Sequence, residues 1–169
     1  MSDWIWALII GFVLDLLLGD PAWLYHPVCI IGKYISWMEK KLRARGGDLR
    51  KSAVFLTAST VLLTMLTVGL ILWLLRRLGR IPLVIGMSPL NWMGIAVTCM
   101  ANEARGVEKA LKNGLEAGRR QVARIVGRDT QTLSEEEIIK ATIETVAENT
   151  TDGIISPLIY AAIGGPVLL

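Results

Sequence analysis

Glu144, Glu148 and Asp152 recur at four-residue intervals in a stretch that otherwise reads as helix. Residues four apart share one helix face, so Glu144 and Glu148 stack, and Asp152 joins them if the helix continues for another turn. Like charges at this spacing repel, and a bound cation reverses that cost. Hard oxygen donors around a site with room for water suit Mg²⁺, above all where a phosphate completes the shell. Asn149 adds an amide beside Glu148. A solvated helix face, with Glu144 paired to Lys140, fits the same spacing.

Just upstream lies Gly127-Arg128-Asp129-Thr130. A guanidinium grips a phosphate or carboxylate bidentately, and a turn offers backbone N–H groups as an anion nest. The same residues also read as a connector between helices, with Gly127 as a C′ cap and Asp129 forming the turn. No GxxxxGK[ST] loop occurs, so any nucleotide is held in another way. A third group lies near the N-terminus: Asp15 inside an apolar run, then Gly19-Asp20-Pro21 and His26-Pro27. An acid in such a run is costly and marks a functional candidate, although a polar group ending a helix reads the same way. His26 is the sole histidine; a general base, a group orienting substrate and a structural residue all fit it. Nucleophile elbows and HExxH motifs are absent, so covalent acyl chemistry and zinc hydrolysis have no support.

The elements that must carry these residues are helices, many of them apolar. Of the 169 residues, 53% are hydrophobic, and the mean hydropathy of +0.49 is too high for an ordinary soluble domain. Ala53–Leu75 runs without a charge, long enough for a bilayer core of about 30 Å; Arg50 and Lys51 precede it, and Arg76, Arg77 and Arg80 follow. Residues 4–18, 83–101 and 153–169 are the other candidate spans. The first is short and carries Asp15, but its Met-Ser-Asp start has no basic n-region, so it does not read as a signal peptide. The third contains Pro89 and Asn91 and reads as one kinked span or a short hairpin. Trp4, Trp6, Trp23, Tyr25, Trp37, Trp73 and Trp92 fall near span ends, where interfacial aromatics belong.

Segments 33–51 and 102–152 are polar. Seven Lys and Arg in 33–51 place that segment in the cytoplasm by the positive-inside rule, and 102–152 then lies on the same side. The three arginines of the short 76–82 loop run against that rule. Residues 102–126 read as one charged helix weakened by Gly114 and Gly118, and a second begins at Ser134, where Ser134 and Glu137 form a capping box. The expected fold is therefore all-α: a polytopic membrane protein in one domain, residues 1–169, with a polar site facing the cytoplasm. The net charge of +3 comes without a nucleic-acid motif or an aromatic-interleaved basic patch, so nucleic acid is not an expected partner and membrane lipid is. Cys29 and Cys99 stand alone, without metal-ligand or disulfide spacing.

Two of these stretches resemble one family. Asp15-x-x-x-Gly19-Asp20-Pro21, His26-Pro27-Val28 and Gly32 resemble the N-terminal signature of the cobalamin-biosynthesis membrane proteins called CbiB or CobD. Ile125-Val126-Gly127-Arg128-Asp129-Thr130, Glu144-x-x-Ala147-Glu148-Asn149-x-x-Asp152-Gly153, Ser156-Pro157-Leu158 and Gly164-Gly165 resemble its central signature. The resemblance implies an adenosylcobinamide-phosphate synthase, which joins a carboxylate of adenosylcobyric acid to the amine of aminopropanol phosphate, using ATP and a divalent metal. It implies Glu148 and Asp152 as ligands of Mg²⁺, assisted by Glu144 and Asn149. Arg128, with Asp129 and Thr130, is then placed on a phosphate; Asp15 is placed on substrate; Asp20 or His26 deprotonates the incoming amine. Members of that family are considerably longer, so further spans are expected from a longer chain, a partner chain or a second copy. A non-catalytic membrane scaffold for corrinoid-pathway enzymes is the alternative.

Overall fold

A computed structural model describes residues 3–21 and 25–168, and every regular element among them is helical. Helix α1 (Asp3–Leu18) stops at Gly19, whose φ of 59° is left-handed and whose N–H bonds to the Asp15 carbonyl at 2.8 Å. Helix α2 (Pro27–Arg45) starts on His26, which caps it through Nδ1, with Pro27 in the first turn where no N–H is needed. Helix α3 (Leu49–Arg77) is capped by Asp48, whose carboxylate accepts the Arg50 N–H at 2.9 Å. Inside α3 the hydroxyls of Thr60, Thr64 and Thr67 each bond a carbonyl four residues back, at 2.8 to 2.9 Å, which hides them on an otherwise apolar rod.

Helix α4 (Arg80–Met93) follows after two residues, and a break at 94–96 separates it from α5 (Val97–Lys112). The segment 83–101 is thus one interrupted path rather than a hairpin. Helix α6 (Leu115–Val122) comes next, then a loop, then α7 (Glu135–Thr150). A π-helical turn (Thr151–Ile155) leads into α8 (Ser156–Gly164) and a short 3₁₀ turn (Gly165–Val167).

The expected single helix over 102–126 is two helices. Gly114, at φ 113°, breaks it, and Gly118 lets the Leu111 side chain pack against α6. Gly127 is not a C′ cap. Helix α6 ends at Val122, the turn after it satisfies the Val122 carbonyl from Ile125 and Val126, and Gly127 has no left-handed φ. The capping box at α7 is present as expected: Ser134 N–H donates to Glu137 at 2.7 Å, and Glu137 N–H donates to the Ser134 hydroxyl at 3.3 Å.

α1 and α4 run side by side in the same direction. Asp3 pairs with Arg80 at 2.5 Å near their beginnings, and the Trp92 indole donates to the Gly19 carbonyl at 3.0 Å near their ends. Gly11 makes the contact close: a Cβ there would stand 2.7 Å from Asn91 Cβ and 2.9 Å from the Trp92 nitrogen. α3 and α8 run the other way. Gly153 near the start of the π turn accepts the Ala96 N–H at 3.0 Å, and Gly165 beyond α8 meets Trp4 at the opposite end. α1, α4, α8 and the second half of α3 thereby form an apolar bundle.

At the Gly19 end of this bundle sit both polar segments. α2 begins there, tied by His26 Nε2 to the Met93 carbonyl at 2.8 Å, and runs back along the first half of α3, where Tyr34 donates to Ser59 at 3.2 Å. α5, α6 and α7 form a separate unit with its own core of Val107, Val122, Ile138 and Ala141, flanked by Leu111, Ile125, Val126 and Leu133. The bundle's outside stays apolar, with Leu62, Leu66 and Leu70 of α3 and Ile155, Ile159 and Ile163 around α8 all exposed. By length and composition, Leu49–Arg77 and the path Arg80–Lys112 are apolar enough to cross a membrane. At 1.5 Å per residue the 29-residue α3 is about 43 Å long; the 16-residue α1 is about 24 Å, short of the bilayer core of about 30 Å.

Candidate functional site

The loop after α6 turns back beneath α7 because its residues are anchored at both ends. Ile125, Val126 and Leu133 pack into the core of the polar unit. Thr130 is buried and donates to the Arg119 carbonyl at 3.1 Å, while Arg119 Nε donates to the Leu133 carbonyl at 2.8 Å. Asp129 accepts the Gln131 N–H at 3.0 Å, a local turn closed by its own carboxylate. Held this way, the loop presents Gly127 and Arg128 to α7.

Between loop and helix lies a cleft of about 310 Å³ lined chiefly by Arg128, Glu144, Glu148 and Asn149, with Gly127 and Thr145 completing its polar wall. Arg128 Nη2 stands 3.4 Å from Glu144 Oε2, and Lys140 Nζ lies 3.8 Å from the other Glu144 oxygen. Both partners of the Arg128–Glu144 pair are about half exposed, so the pair is weak and easily exchanged for a ligand. The cleft offers a cation on one wall and two carboxylates one helical turn apart on the other.

Four of the residues singled out from the sequence are therefore brought together here: Arg128, Glu144, Glu148 and Asn149. Asp129 and Thr130 shape the loop and do not line the cleft. Asp152 falls in the π turn, whose wider register breaks the four-residue repeat, and it is not part of the cleft wall. Among the described residues no three His, Cys, Asp or Glu side chains converge on a metal-sized point. Two carboxylates and an amide do fit Mg²⁺ as it accompanies phosphates, where one or two protein carboxylates suffice and phosphate oxygens and water fill the shell.

The N-terminal candidates form a second group at the junction of bundle and polar unit. α5 starts on Ala96, which has no side chain to cap it. Asp15 supplies the cap from α1: its Oδ2 accepts the Thr98 N–H at 3.1 Å, and its backbone carbonyl accepts the Thr98 hydroxyl at 2.7 Å. The other Asp15 oxygen is buried without a partner, as are both polar atoms of the Asn91 amide. Asp20 is exposed and lies beside the Cys99 thiol. Both ring nitrogens of His26 are engaged, with Nδ1 accepting from Val28 and Nε2 facing a carbonyl oxygen, an arrangement that suits the neutral tautomer carrying its proton on Nε2. Trp23, expected at an interface, and the last residue of the 153–169 segment lie outside the described residues.

Sequence reasoning missed Thr98 at this junction and, within the polar unit, Glu103, which accepts from Gln121 (3.1 Å) and Arg124 (3.2 Å). Asn91 had left a signal as an amide inside an apolar run. Thr98 left none, because its role depends on a partner far away in the chain.

An apolar helical bundle carrying a charged three-helix unit, with a cation-and-carboxylate cleft in that unit, defines a helical protein with a polar site beside a lipid-compatible body. The particular family follows from comparison with known proteins. Residues 8–169 match the family model described as CobD/Cbib protein, and the chain belongs to that family. It is 46% identical over 161 residues to a cobalamin biosynthesis protein CobD of Listeria monocytogenes serotype 4b (strain F2365), covering 94% of this chain and 51% of that protein. It is 43% identical over 162 residues to the protein of the same name from Pelobacter propionicus, covering 95% and 50%. With the one from Clostridium tetani it shares 40% over 162 residues, covering 94% and 51%. The chain thus spans about half the length of the curated relatives it matches. No solved structure matches it.

Proposed function

We propose that this protein acts in cobalamin biosynthesis, as the amide-forming, ATP-dependent ligase that joins aminopropanol phosphate to adenosylcobyric acid, giving adenosylcobinamide phosphate. The observation that carries this reading is the cleft in which Arg128 faces Glu144, Glu148 and Asn149. A carboxylate is a poor electrophile, so ATP must first phosphorylate it. The amine then attacks the acyl carbon, an amide bond forms and phosphate leaves. Such chemistry needs fixed positive charge at phosphate oxygens and an acceptor for the ammonium protons.

In this reading Arg128 releases Glu144 and takes a phosphate in its place, the stronger bidentate partner. Glu148, with Glu144 and Asn149, would hold Mg²⁺, which supplies charge neutralisation on the phosphates when bound. The proton acceptor is Asp20 rather than His26, because Asp20 is exposed whereas both His26 nitrogens already have partners. The protein sits in the cytoplasmic membrane as a multi-pass chain with α5–α7 on the cytoplasmic side, where ATP is available.

The test is product formation by the protein in its native membrane, supplied with adenosylcobyric acid, aminopropanol phosphate, ATP and Mg²⁺. Arg128→Ala and Glu148→Gln should each lower kcat/KM by about 10²-fold, the loss typical of a group that stabilises transition-state charge. Unchanged rates in both variants would remove the cleft from the reaction. Absence of product from the unaltered protein, with the membrane fraction still recruiting other corrinoid-pathway enzymes, would favour a scaffold.

A further inference from the structure

A second cavity, about 680 Å³, opens at the other end of the bundle from α5–α7. Trp4, Leu72, Trp73, Leu83 and Met87 give it apolar walls, and Arg76 and Arg80 stand among its lining residues. Gly69 of α3 is also among its lining residues, and an added Cβ there would meet nothing within 4 Å. The cations here are unequally engaged. Arg80 is tied to Asp3 at 2.5 Å, and Arg77 lies over the Trp73 ring at 4.8 Å from its centroid. Arg76 faces the cavity with no carboxylate partner among the described residues.

These are the three arginines that run against the positive-inside rule, and of them only Arg76 stands both in the cavity wall and without a carboxylate partner among the described residues. From this geometry we infer that the cavity is a binding site for one anionic phospholipid, with its phosphate on Arg76 and its acyl chains along Leu72, Leu83 and Met87. The chemistry fits at both ends. The walls are aromatic and aliphatic, as for an acyl chain, and tryptophans stand where headgroups lie. The remaining positive charge sits at the rim, where an anionic headgroup attracts Arg. A water-soluble phosphate compound would leave those apolar walls wetted, so a lipid is the occupant that uses the whole surface.

The inference rests on the reading of the bundle as membrane-embedded, and the test separates the two. The protein is purified in nanodiscs holding equal phosphatidylglycerol and phosphatidylcholine, then delipidated stepwise and weighed by native mass spectrometry. One phosphatidylglycerol should be retained after bulk lipid is gone. Arg76→Gln should weaken retention about five-fold, the contribution of one cation near an anionic surface. Gly69→Leu fills the cavity from an open position on a helix that gains propensity by the change, so it should fold and retain no lipid.

Equal retention of phosphatidylcholine, or unchanged retention in both variants, overturns the proposal. So does inorganic phosphate binding at the same place in lipid-free detergent, or a polypeptide copurifying in the lipid's stead. Extraction of the protein from membranes by alkaline carbonate would sink the membrane reading itself, an outcome distinct from integral protein that holds no lipid.

Discussion

At the scale of single residues, the carboxylates divide by what they touch. Glu144 and Glu148 line a cleft, whereas Asp15 caps a helix it does not belong to. Asp15→Leu should therefore destabilise the protein by about 1–2 kcal/mol, the usual effect of losing a cap, while Asp15→Asn keeps an acceptor and most of the stability. Thermal unfolding in detergent reads the difference. An equal loss in both variants would instead point to the charge itself. Glu137 is a different case. The Ser134 backbone N–H, and then its hydroxyl, hold the Glu137 carboxyl below the ordinary carboxylate range. A depressed folded-state pKa gives stability that is present above the unfolded value of about 4.3 and is lost as pH falls through the folded one. Helix α7 should thus loosen on acidification below that value. Glu137→Gln should flatten the acid limb, as followed by hydrogen exchange of the first turn of α7.

At the scale of elements, caps and breaks were largely legible and partners were not. Ser134 and Glu137 announce the start of α7 by local chemistry, and the structure has both bonds of the box. Ser134→Ala should accordingly cost about 1 kcal/mol, seen as a lower midpoint in urea. Gly114 was visible as a weak point, but whether it would merely soften a helix or split it depends on packing of α6 against α5 and α7. Gly127 misled as a cap because Ile125 and Val126 are drawn into a core that a local reading does not see. The stacking of Glu144 on Glu148 followed from helical period alone. The fate of Asp152 did not, since a π turn has no reliable sequence mark. Gly11 is the clearest of the illegible features: an ordinary glycine in an apolar run turns out to be the contact point of α1 with α4. Gly11→Val should push these helices apart and destabilise the protein by about 1–3 kcal/mol, as overpacking does.

At the scale of the whole molecule, polar segments distant in sequence share one end of the bundle, and the arginine-rich 76–80 turn occupies the other. A cysteine placed at Gly46 and one placed at Leu78, each in a background without Cys29 and Cys99, should label from opposite sides of a sealed vesicle. Labelling from one side would refute the arrangement. The trans cap on α5 also bears on the order of assembly. The Thr98 amide is without its partner until Asp15, made more than eighty residues earlier, is already in place. This bond can fix the charged unit that holds the cleft only once the first helix is seated. The ribosome's direction of travel supplies that order, and a chain whose first helix arrives late would set the cleft loosely over a bundle otherwise complete.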